Sequence, residues 1–176
     1  LLPERRPFFL EGIELFSTPN QLVYTRQVVD PDGGLKLTGK FGRLNVAYLG
    51  AVDHAGDDHA LFNIARFRRD LFGASAAGLT YTDRIQGSDY NRVLAADARI
   101  VFARLYFVQA QLGGSWTRDA AGTRRAPIWE AEFDRTGRGW GFNYQVNAIG
   151  RDFESRAGFV PRTDMVSVHG LNRLTL

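Results

Sequence analysis

The chain has 176 residues, 44% of them apolar, with 22 basic against 19 acidic side chains for a net charge of +3. That is enough apolar mass for one domain with a core, and charges so dispersed and nearly balanced leave no footprint for nucleic acid. No apolar run approaches the ~20 residues of a spanning helix, and the absence of cysteine removes disulfides and thiolate metal sites.

The chain opens on "LLPERRPFFLEGIEL", with no initiator methionine and no clean alternation. It is expected to be a fragment whose targeting sequence lies elsewhere, with residues 1–19 forming an irregular segment. Arg5, Arg6, Glu11 and Glu14 could pair with charges on a wall, while Phe8, Phe9 and Leu10 seal a gap. A structural latch is the first expectation for this segment, and a gate or docking site for a periplasmic partner the second. "DPDGG" reads as a turn, since it starts like a calcium loop but lacks the later acidic ligands.

Residues 20–176 read as an antiparallel meander of about ten long strands. In "LKLTGKF", Leu35, Leu37 and Phe41 oppose Lys36, Thr38 and Lys40; "LNVAYLGAV" alternates more weakly. In "AAGLTYTDR", Leu79 and Tyr81 oppose Thr80, Thr82 and Arg84, and "VLAADARIVF" sets Leu94, Ala96, Ile100 and Phe102 against Asp97 and Arg99. "RLYFVQAQLGGSWT" carries Tyr106, Val108, Leu112 and Trp116 against Gln109, Gln111, Ser115 and Thr117, while "WEAEFD" carries Trp129 and Phe133 against Glu130, Glu132 and Asp134. In "GWGFNYQVNAIG", Trp140, Phe142, Tyr144, Val146 and Ala148 share one parity, and Asn143, Gln145 and Asn147 the other. Each strand has a greasy neighbour and a wet one.

The connections read as alternately tight and long. Tight turns are expected at 41–43, 72–75, 103–104 and 135–139, and long loops at 53–59, 84–90, 117–126 and 150–163. Aromatic residues flank both ends: Phe41, Phe102, Tyr106, Phe133 and Trp140 near the tight turns, and Tyr81, Trp116 and Trp129 near the long loops. Two aromatic girdles with Leu, Val and Ala between them, short turns on one side and long loops on the other, are the pattern of an outer-membrane barrel. A soluble sandwich or lipocalin-like barrel also alternates. Expected strands of about nine to twelve residues, where soluble strands run to about five or six, favour the membrane barrel.

"ERRPFFLEGIELFSTP", "GLKLTGKFG", "ARFRRDL", "DYNRVLAADARIVF" and "GRDFESRAGFVPRTD" together resemble a family of large bacterial outer-membrane barrels of unknown function. That module commonly follows a family-nine-like carbohydrate-binding domain. The resemblance implies a segment of a larger transmembrane barrel in the bacterial outer membrane, with further strands on either side and a carbohydrate-binding domain upstream. Its implied partners are outer-membrane lipid and a polar solute or saccharide. No catalytic residues follow from it.

On this reading Lys36, Lys40, Arg66, Arg68, Arg84 and Arg99 line the lumen on the earlier strands, and Asp97, Glu130, Glu132, Asp134, Asn143, Gln145 and Asn147 on the later ones. Walls of opposite sign would set up a transverse field, whereas cross-strand ion pairs would cancel it locally. Glu130 and Glu132, roughly 6.5 to 7 Å apart along one strand face, match inverting glycosidases in spacing but project in parallel rather than flanking a bond. Ser167 and His169 share a face without an orienting acid. "DHAGDDH" offers His54, Asp57, Asp58 and His59 to a cation in no defined spacing. No cofactor, metal or catalytic residue is therefore assigned. Passage or surface capture of a polar solute is the leading expectation; a soluble or surface carbohydrate-binding β-domain or a barrel-embedded glycoside hydrolase is the alternative.

Overall fold

The computed structural model describes residues 3–56 and 58–175. Among these residues nine antiparallel strands form one sheet in strict sequence order, and no helix is long and apolar enough to cross a membrane. The strands are β1 (Pro31–Phe41), β2 (Leu44–Ala55), β3 (Asp58–Asp70), β4 (Ala76–Gln86), β5 (Asp89–Phe102), β6 (Tyr106–Asp119), β7 (Gly122–Arg135), β8 (Trp140–Ile149) and β9 (Met165–Leu174). Every pairing is between sequence neighbours, so β1 and β9 are edges and the sheet is not closed. The irregular segment runs on to Asp30, beyond the expected boundary at residue 19, and contains a single turn of helix, α1 (Pro7–Leu10), with 3₁₀ turns at Ile13–Phe16 and Thr25–Gln27.

Register divides the side chains into two faces. Leu37↔Tyr48, Val46↔Phe67, Tyr81↔Leu94, Leu112↔Trp129 and Phe133↔Tyr144 are directly opposed, giving a bare apolar face. Large side chains lie open on it, Leu112 at 66% and Val168 at 77% exposure. Near the β5–β6 and β7–β8 turns the rings of Phe102, Tyr106, Phe133, Phe142 and Tyr144 contact one another in sequence, with centroids 5.0–6.2 Å apart. The Arg135 guanidinium lies over Tyr106 and Trp140.

The other face is covered by residues 3–30 and 150–164. Phe9, Phe16 and Val28 from the first segment and Ala157 from the second pack on Ala47, Leu49, Ala51, Phe62 and Ile64. Leu22 and Phe153 pack on Val93, Ala95, Ala126, Ile128 and Ile149. The two segments are tied together by Tyr24 N–H to Ala157 C=O at 2.8 Å and Phe159 N–H to Gln21 C=O at 2.8 Å. Burying side chains such as Leu49, Phe62 and Ile128 is worth about 1.5–3 kcal/mol each, which is what holds these hairpin-poor segments against the sheet.

The loops depart from expectation. β2 continues to Ala55 and β3 begins at Asp58, β4 ends at Gln86 and β5 begins at Asp89, and β6 ends at Asp119 before β7 begins at Gly122. Three of the expected long loops are therefore extended ladder closed by tight turns; Gly87, at φ 56°, supplies the left-handed backbone one of them needs. A ladder is made by backbone groups, so it continues through polar side chains. Polarity in the sequence marks where the apolar belt stops, not where the strand stops. The remaining long connection, 150–164, is folded onto the covered face, and Arg156 in it is only 22% exposed at its side chain. Arg124, in the expected loop 117–126, is held likewise, at 29% side-chain exposure.

Candidate functional site

The covered face has an apolar half toward the β2–β3, β4–β5 and β6–β7 turns and a polar half toward the β1–β2, β3–β4, β5–β6 and β7–β8 turns. Between them sits Asn20, whose backbone N–H and Nδ2 both donate to Gln111 Oε1 at 2.9 Å, and whose Oδ1 accepts from Asn147 Nδ2 at 3.0 Å. One asparagine thus ties the N-terminal segment to β6 and β8. A second tie is internal to the segment. Glu4 accepts from Arg6 Nε and Nη2 and from Thr25 Oγ1, while Arg6 donates onward to Val28 C=O at 2.6 Å. The Arg6 guanidinium bonded to Glu4 holds that carboxyl well below the usual range. Arg6 pairs inside its own segment rather than with the wall, and Lys36 reaches the Phe8 and Glu11 carbonyls rather than a carboxylate. Phe9 is buried, whereas Phe8 and Leu10 are about 40% exposed.

All the candidate residues fall on this covered face by register, because each pairs with another of the same parity: Lys40↔Asn45↔Arg68, Gly78↔Asp97, Arg84↔Asn91, Gln109↔Glu132↔Gln145 and Asp134↔Asn143. Arg66 and Asp97 form a buried ion pair at 2.6 Å, with side chains 5% and 11% exposed, and Arg66 also donates to Thr80 Oγ1 at 3.0 Å. A methyl group at Gly78 would meet the Arg66 guanidinium, so the missing side chain there makes room for the pair. Asp97 is therefore part of the basic side and neutralises it locally; it does not stand with the β7 acids. Lys40 pairs with Asp70 at 3.0 Å. Arg84 lies over the Phe62 ring and donates to Gln86.

What remains is a graded band across four strands. Arg99, stacked on Phe107, donates to Gln109 Oε1 at 3.2 Å, and Gln109 Nε2 donates to Glu132 Oε2 at 3.4 Å. Asn143 Nδ2 then bridges Glu132 Oε1 at 2.6 Å and Asp134 Oδ2 at 3.1 Å. Arg68 and Arg99 form no ion pair among the described residues, and with Arg66, Gln109, Glu14 and Thr18 they line a cavity of about 340 Å³ between the N-terminal segment and the wall. Guanidinium on one side, carboxylates on the other and amides between can hold a polar, hydrogen-bonding solute at both ends. Glu130 is only 5% exposed and projects parallel to Glu132, so no scissile bond fits between the two.

A second network went unassigned in the sequence. Arg156 donates to Asp119 Oδ2 at 2.8 Å and Glu154 Oε1 at 2.7 Å; Arg124 joins Asp119 at 2.7 Å. Asn91 clamps the same loop, donating to Glu154 C=O at 3.0 Å and accepting from Arg156 N–H at 2.8 Å. The charges in "GRDFESR" were visible, but nothing local to that stretch names partners on β5 and β6. Ser167 and His169 lie exposed on edge strand β9. In "DHAGDDH", His54 and His59 oppose each other on the bare face, whereas Asp58 has the parity of Ala60 on the covered face; Asp57 lies outside the described residues. Against known proteins, no family model, no curated protein and no solved structure matches the chain.

Proposed function

We propose that this chain is a wedge of wall from a bacterial outer-membrane β-barrel whose interior carries residues 3–30 as a plug, and that the barrel serves passage or surface capture of a polar solute. The bare face carries this reading. Along β6, Tyr106 to Trp116 is ten steps of ~3.3 Å; at the ~35–45° tilt of membrane barrels that makes a belt about 23–27 Å tall, the thickness such a wall must present to lipid. The opposite face supports a wet interior at one end, through Arg99, Gln109, Glu132 and Asn143. Amides and carboxylates in a row suit hydroxyl-rich solutes, and the resemblance to barrels that follow a carbohydrate-binding domain makes a saccharide the leading class. Capture without conductance is the second reading, favoured by the cover over the apolar half.

Planar-bilayer recording on the complete protein separates the two. Passage predicts discrete conductance steps that enlarge when Asn20→Ala and Gln111→Ala release the plug; a silent bilayer with retained saccharide binding selects capture. Tyr144→Arg is expected to cost about 2–4 kcal/mol in a lipid-embedded wall, whereas Gln145→Arg costs little. Monodisperse folding in buffer without detergent overturns the membrane reading.

A further inference from the structure

We propose that Asp32, His54 and His59 form a surface site for a divalent transition-metal ion of the zinc type. The site lies on the bare face just beyond the last apolar pair of the β2–β3 ladder, Val52↔Leu61, and stands whether or not the membrane reading does. Two separate pieces of local structure build it. The ladder sets His54 directly opposite His59, with ring centroids 5.2 Å apart at 83°. A bulge in β1 then supplies the third donor: Pro31 pairs with Asp53 and Gly33 with Val52, which leaves Asp32 as the extra residue without a ladder partner. Bulges re-aim side chains, and this one is fixed by its flanks. Asp30 N–H donates to the buried Asp53 carboxylate at 2.7 Å, and His54 N–H donates to Asp30 C=O at 2.9 Å. Asp32 Oδ2 thereby lies 3.2 Å from His59 Nε2 and 3.8 Å from His54 Nδ1.

The spacing fits a metal. With zinc bonds of about 2.0–2.1 Å, adjacent ligand atoms of a tetrahedron sit about 3.3–3.4 Å apart. Two of the three separations lie within half an ångström of that figure, and all ligand atoms are within 4.8 Å of one another. The side chains are about half exposed, 48% to 56%, so small rotations can close the remaining gap. Two imidazoles and one carboxylate suit zinc and its neighbours rather than calcium or magnesium, which prefer all-oxygen shells. Three protein ligands leave a fourth position for water or an outside ligand. Occupancy would clip the edge strand β1 to the neighbouring hairpin.

The test uses the full chain, untagged and folded in detergent micelles, with Co²⁺ as the visible probe and Zn²⁺ as competitor. Saturable one-to-one binding with the intense absorption of a four-coordinate ion is expected, weakened by about tenfold or more in Asp32→Asn, His54→Ala and His59→Ala, and unchanged in Asp58→Asn on the opposite face. Wild-type protein gives a second readout that needs no variant. Zn²⁺ should shift the imidazole resonances of His54 and His59 and leave those of His169, the third histidine, in place. Absence of saturable binding, equal effects of Asp58→Asn and Asp32→Asn, or uniform shifts at all three histidines overturns the proposal.

Discussion

The two halves of the covered face are made by the same strands, in the same register, and differ in what lies over them. Toward the β2–β3, β4–β5 and β6–β7 turns, Leu49, Phe62, Ile64, Val93 and Ile128 are no more than 1% exposed beneath the irregular segments. Toward the opposite turns, Arg99, Gln109, Glu132, Asp134 and Asn143 carry the hydrogen-bonded band, and Arg66, Arg68, Arg99 and Gln109 line the cavity. A face of a sheet is therefore not one environment. Parity decides which side a residue takes, and the composition along that side records where a cover begins and ends.

Breaking the apolar half should cost most. Phe62→Ala removes a ring from the middle of the packed cluster and is expected to destabilise by about 3–5 kcal/mol in urea unfolding of the complete protein. At the junction, Asp97→Ala strands the buried Arg66 charge, with an expected loss of about 3 kcal/mol; replacing both partners with apolar residues should recover most of it. Retention of full stability in Asp97→Ala alone would mean that Arg66 finds water there, and that the junction belongs to the polar half. The cover itself is tuned by Glu4. Its carboxyl titrates below the ordinary glutamate range of about pH 4.3, so the contribution is complete above that range and lost as pH falls through the depressed folded value. Glu4→Gln should loosen residues 3–30 by about 2 kcal/mol, read as faster tryptic cutting at Arg26, with little pH sensitivity left below pH ~4. Smallest is Asn143→Ala in the solvated band, expected to cost less than about 1 kcal/mol. A larger loss would show that the band is as dry as the opposite half.

Side choice was legible in the sequence because a strand's period is fixed: Trp140 to Ala148 took one face and Asn143 to Asn147 the other, and Lys36 and Gln109 followed the same rule. The cover left a signal as well. In "AYLGAV" and "LFNIA" both parities carry apolar residues, the mark of a strand buried on both sides, so Leu49, Phe62 and Ile64 could have announced something lying over them. The partners of the cover were not legible. Asn20 meets Gln111 and Asn147 across 91 and 127 residues of chain, and a lone asparagine in "FSTPNQ" has no local feature to distinguish it from a turn residue. The cluster at Asp32 was hidden for a related reason. "DPDGG" and "DHAGDDH" each look like turns, and only a one-residue bulge, which no periodicity encodes, brings the first onto the second.

The strictly sequential strand order has a consequence in time. Each hairpin closes with the strand just before it, so the sheet can grow from first strand to last by short steps, whereas contacts between distant parts of a chain wait on the closure of long loops. Residues 3–30 precede β1, yet Asn20 needs β6 and β8, and Gln27 needs the Gly158 carbonyl in the connection beyond β8. The stretch that comes first in this strand order is fixed in place last. Until Gly158 is in place, Gln27 lacks its acceptor and Phe9, Phe16 and Leu22 lack part of the surface they bury against, so a sheet formed only as far as β7 would leave residues 3–30 unfastened.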